Sequence, residues 1–118
     1  MKLPLAAAFL ALATISAGAA ENRCGWLVNP TPGNYWLTDK DATWILATQG
    51  IEAPDAVMLN LPAFDEKEFV AANGSYGYGC ACISVDVDTA NNKVLRVYSG
   101  KTLPLKRCKA DKSLPSPY

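Results

Sequence analysis

The chain has 118 residues, no histidine, four cysteines, and eleven basic side chains against eleven acidic ones. That length suits one domain, and a balanced charge gives no electrostatic case for nucleic acid or an anionic membrane surface as partner. Without histidine, acid–base chemistry near neutral pH falls to carboxylates or lysine, and a nucleophilic cysteine lacks its usual base.

The chain begins with a short positive start, Met1-Lys2, an uncharged Ala- and Leu-rich stretch from Leu3 to Ile15, and small residues from Ser16 to Ala20. This pattern predicts a secretory signal peptide over 1–20, cleaved at Ala17-x-Ala19 or Gly18-x-Ala20. The apolar run is too short to span a bilayer and no second one follows, so no membrane anchor is expected after cleavage. What remains reads as a single disulfide-stapled domain over 21–112 and a flexible tail over 113–118. Its expected location is the periplasm or the exterior.

Tyr35–Thr38 and Thr43–Thr48 are β-rich runs around the polar turn Asp39–Ala42, a hairpin pattern ended by Gly50. Pro30, Pro32, Pro54 and Pro62 confine their neighbours to loops or strand edges. Phe64–Gly74 admits two readings. Asp65 with Glu68 three residues on can cap a short helical turn, and Asn73-Gly74 can close a hairpin that makes Glu68–Ala72 a strand. In Tyr76–Asp88, Ile83, Val85 and Val87 alternate with Ser84, Asp86 and Asp88, and Asn91-Asn92 turns the chain into Lys93–Gly100. Lys106–Lys112 reads as a solvated tail. The expected fold is mainly β: a small single domain of antiparallel hairpins, barrel- or sandwich-like and stapled by two disulfides, with room for one short helix.

Cys24, Cys80, Cys82 and Cys108 in a small exported chain predict two disulfides. Their spacing lacks the paired Cys-x-x-Cys knuckles of a zinc site, so no metal or other cofactor is expected. Cys80 and Cys82 share a strand face with parallel Cβ vectors, so each looks elsewhere for its partner. A uniform register around the Thr89–Asn92 turn places residues near Lys101 opposite Cys80. That favours Cys80–Cys108 with Cys24–Cys82, although a reversal of the chain at Pro104 would undo it.

The strand from Tyr76 carries Gly77, Gly79 and Ala81 on one face and Tyr76, Tyr78, Cys80 and Cys82 on the other. A bare strand face marks close approach by something bulky. The structural expectation is that one of the protein's own tryptophans covers it. The functional one is a shallow slot for a partner, with Trp26, Trp36, Tyr76, Tyr78, Gly77 and Gly79 as candidate binding residues. Asp86 and Asp88, on one strand face, have a spacing that overlaps that of paired glycosidase carboxylates, but alternating acids on a wet hairpin face are ordinary. No catalytic residue is assigned.

Arg23-Cys24-Gly25-Trp26, Asn29-Pro30-Thr31-Pro32, Tyr76-Gly77-Tyr78-Gly79-Cys80-Ala81-Cys82 and the ending Pro104-Leu105 with Cys108, Asp111, Leu114 and Pro115 together resemble a family of small exported bacterial proteins classed as a domain of unknown function. The resemblance implies a single exported bacterial domain and transfers no activity. The expected function is that of a non-catalytic binding or accessory protein acting on a protein partner, as an inhibitor or immunity factor would. The alternatives are a carboxylate-dependent enzyme on cell-wall or polysaccharide material and a structural envelope component.

Overall fold

The computed structural model describes residues 20–118; the expected signal peptide, apart from Ala20, lies outside the described residues. In chain order come β1 (Glu21–Asn29), β2 (Tyr35–Thr38), β3 (Thr43–Ala47), α1 (Asp55–Met58), a 3-10 turn (Glu66–Glu68), β4 (Phe69–Asn73), β5 (Tyr76–Asp88), β6 (Lys93–Leu103) and α2 (Leu105–Ala110). The chain is mainly β, as its residue pattern indicated.

The six strands form one sheet in the order β1-β2-β3-β6-β5-β4, and β1 also pairs with β5. β1 is antiparallel to β2 along one edge and to β5 along the other. β3 meets β6 in parallel at Ile45 and Lys93, where the Ile45 N–H donates to the Asn92 carbonyl at 2.8 Å. Five strands therefore close into a ring, the barrel-like of the two expected shapes. β4 pairs with β5 over Tyr76–Gly79, and from Cys80 onward that same edge belongs to β6.

β1 stands out least in the sequence and is central to the ring. Its first four residues are wet or half-buried and its last five are buried. Two-sided burial along half a strand erases the alternation by which a strand is read. Phe64–Gly74 turns out to contain both expected devices in succession. The Asp65 side chain accepts from the Lys67 N–H in a 3-10 turn of three residues, and Gly74, at a φ of 60°, closes the β4–β5 turn. The Glu68 carboxylate does not reach back as a capping box would; it accepts from the Leu105 N–H at 2.9 Å and so anchors the start of α2.

Two corrections follow from local geometry. A uniform β5–β6 register would set Lys101 opposite Cys80, but Leu103 stands there and Lys101 faces Cys82. Two bulges, at Ser84/Val85 and Asp86/Val87, each add one residue to β6. The added residues are Tyr98 and Leu95, both exposed large side chains. The second correction concerns Lys106–Lys112, where the stretch read as a solvated tail contains α2, whose Cys108 is buried. A six-residue helix without a side-chain cap gives little sequence signal, and packing holds it in place.

The barrel interior is built from Leu27, Leu37, Trp44, Leu46, Ala81, Ile83, Val85, Val94 and Val97, and Val57 of α1 packs into the same cluster. A second cluster lies outside the ring, where α2 covers Trp26, Val28 and Cys80 with Cys108. The disulfides pair as the register favoured, Cys24–Cys82 with a Cα separation of 4.0 Å and Cys80–Cys108 with 5.7 Å. Cys24 sits directly opposite Cys82 across the β1–β5 ladder. With no cysteine left free, mature protein denatured without reductant is expected to show no thiol on titration. Two or more reactive thiols per chain would contradict the pairing.

Candidate functional site: the outer face of the barrel

Each strand of the ring sends alternate residues inward and outward, and the outward residues of β2, β1, β5 and β4 line up through their registers. Trp36 lies opposite Val28, Val28 opposite Tyr78, and Tyr78 opposite Val70. The next row runs Thr38, Trp26, Cys80 and Leu103. The Trp26 and Tyr78 rings meet edge to face at 5.2 Å, a favoured aromatic geometry. Trp36 and Tyr78 are half-buried and pack at the margin of the second cluster. Four of the six candidate residues, Trp26, Trp36, Tyr76 and Tyr78, are thus outward residues of β1, β2 and β5.

Gly77 and Gly79 lie on the opposite, inward side of β5 and are sealed off. A Cβ at Gly77 would fall on the carbonyl of Val70, and one at Gly79 would stand 3.1 Å from the Phe64 ring. The cover is therefore Phe64 and the β4 backbone, not a tryptophan. Trp44 is in the barrel core and Trp26 packs outside it. Phe64 was obscure in the sequence because it precedes β4 in an irregular stretch, its ring tilted against that of Phe69 at 4.8 Å. Gly79→Val is expected to push against Phe64 and lower stability by about 1–3 kcal/mol, read as a fall in the thermal midpoint. An unchanged midpoint would mean that the inward face has room.

The segment 113–118, expected to fray, makes contacts. Ser113 donates to Asp111 through both N–H and hydroxyl, Leu114 packs on the second cluster, and the Tyr118 ring meets Tyr78 edge on at 5.4 Å.

A polar groove of about 370 Å³ opens between the start of β1, the β2–β3 turn and residues 111–114. At its base, Arg23 binds Asp39 at 2.9 Å, Asp41 at 3.0 Å and Glu21 at 2.7 Å, and its guanidinium lies 4.2 Å over the Trp44 ring. Asp39 is almost fully buried. Its Oδ1 accepts from the Asp41 and Ala42 N–H groups and from the Trp44 indole N–H, and its Oδ2 from Arg23. Burial pushes the Asp39 carboxyl upward, but the bonds from Arg23, the two amides and the indole outweigh it, and its pKa lies below the ordinary value. Burial likewise acts to lower Arg23, and bonds to Asp39, Glu21 and Asp41 hold it above its ordinary value. Within this network Arg23 reaches Asp39 and Asp41, 16 and 18 positions away, a pairing that no local motif announces. Its donors and acceptors are spent on one another, which suits a structural lock better than a ligand site.

The carboxylates weighed as a catalytic pair are separated by the bulge and engaged apart. Asp86 accepts from the Tyr98 hydroxyl at 2.6 Å, and Asp88 caps the β5–β6 turn through the Ala90 and Asn91 N–H groups and the Asn91 amide. Among the described residues no cluster of three or more His, Cys, Asp or Glu side chains is placed to hold a metal. No helix among them is long and apolar enough to cross a membrane.

A family model described as a protein of unknown function (DUF4087) matches residues 18–115. No curated protein and no solved structure matches the chain.

Proposed function

The chain belongs to the family described as protein of unknown function (DUF4087), and we propose that it is an exported, non-catalytic binding or accessory domain that docks a protein partner on the outer face of its barrel. The observation that carries this reading is the set of half-buried outward side chains Trp36, Tyr78 and Val70, which flank the buried Val28. Aromatic side chains there are only half-buried although they are not needed to fill the barrel. Such residues have the area and rigidity that anchor protein interfaces. Two disulfides fix the sheet beside them, so little ordering entropy opposes binding. The same disulfides favour an oxidising compartment, the periplasm or beyond, in line with the signal-peptide pattern of 1–20.

The test is capture from a native periplasmic extract with mature protein as bait, run beside Trp36→Ser. A partner retained by the parent and lost from the variant is the expected result, with both baits melting alike. Retention by both would remove the outer face from the function.

A further inference from the structure

The outer face already holds a peptide, residues 114–118 of its own chain. After Asp111 turns the chain through Ser113 and Leu114, residues 115–118 run without regular structure to place Tyr118 on Tyr78. Pro115 and Pro117 fix φ at two of these positions and bias Leu114 and Ser116, the residues before them, toward extended backbone. A segment so restrained loses little entropy on docking, and aromatic surfaces take proline-flanked extended segments for that reason. The hold is incomplete. Leu114 and Pro117 are half-buried, whereas Pro115 and Ser116 are exposed and Tyr118 is 59% exposed. Such a contact specifies chemistry without closing the site.

We infer that residues 114–118 are a built-in occupant of the outer face, and that the partner presents an extended, proline-flanked tyrosine segment that displaces them. This rests on the proposed docking face and names the chemistry of what docks there. A tethered occupant competes at an effective concentration on the order of millimolar. For a segment with a Kd on the order of 0.1 mM, competition weakens apparent affinity about ten-fold. Burial and the neighbouring Tyr78 also raise the pKa of Tyr118, consistent with a hydroxyl removed in part from water.

The test uses the full mature chain and an acetylated peptide copying residues 114–118, with the Trp26 and Trp36 indole N–H resonances as reporters. Tyr118→Ala, an exposed change that leaves the barrel intact, is expected to bind the peptide about ten-fold more tightly than the parent chain. A peptide with alanine in place of its tyrosine should not shift the indoles. Adding Tyr78→Ala to the Tyr118→Ala chain should abolish binding while the melting midpoint shows it folded. Equal affinity for parent and Tyr118→Ala, or binding that survives Tyr78→Ala, would overturn the inference. A parent chain that dimerises with concentration through its tail would overturn a foreign partner in favour of a second copy. Partner capture that depends on Trp36 without any peptide binding would overturn the peptide class alone and leave the docking face standing.

Discussion

Asp39→Ala is expected to be the most damaging single change in the protein, costing about 3–5 kcal/mol. One carboxylate satisfies the Trp44 indole, two turn amides and Arg23. Removing it leaves a buried donor without a partner and a guanidinium stripped of its least exposed counter-charge. Asp39→Asn keeps the shape of the turn and is expected to fall between parent and alanine, because it accepts hydrogen bonds but cannot neutralise Arg23. Urea unfolding of the mature proteins measures both. The pH dependence has a fixed sign. The folded-state pKa of Asp39 is depressed, so its contribution is present above the unfolded value and fades as pH falls below about 4 toward the folded one. The Asp39→Asn protein should therefore lose less stability over that range than the parent. A parallel acid profile for the two would show that other carboxylates govern acid unfolding.

Removing a disulfide is the second large effect, and the two bonds should fail differently. Cys24–Cys82 closes a loop of 58 residues, for which loop entropy gives about 4 kcal/mol, and Cys80–Cys108 one of 28, for about 3.5 kcal/mol. The first ties β1 to β5, neighbours in the closed ring, so its loss should lower the stability of the whole barrel. The second holds α2, which is only six residues long and cannot persist unaided. Replacing Cys80 and Cys108 by serine should therefore raise amide exchange first along 105–114. Uniform exchange changes in both variants would show that α2 and the barrel unfold as one unit.

How much of this was legible in the sequence depended on how local its cause was. The β2–β3 and β5–β6 hairpins are written in β-rich runs, alternation and turn residues, and strand parity excluded a Cys80–Cys82 bond, whereas the pairing with Cys24 and Cys108 was reached through a β5–β6 register that the bulges shift by two. β1 was hidden because its buried half is covered on both sides and so does not alternate. The β5–β6 register slipped by two because bulges at Leu95 and Tyr98 leave no sequence mark. In the Arg23–Asp39–Trp44 lock, Asp39 and Trp44 belong to one hairpin, but Arg23 stands 16 positions before Asp39 and joins it only when β1 pairs with β2. For the candidate site, strand parity set Tyr76 and Tyr78 on one face of β5, whereas the orientation of Trp26 was not legible because β1 itself was hidden. The glycine neighbours of the two tyrosines were not separable from them, because whether a bare face is open or filled depends on Phe64, which arrives from an irregular segment.

The claim that the outer face docks a protein is tested most directly by placing a photoreactive phenylalanine analogue at Trp36 and, as a control, at exposed Leu95 on β6. Irradiation in intact cells should yield one defined protein adduct from position 36 and none from position 95. Adducts from position 95 but not 36 would contradict the assignment of this face.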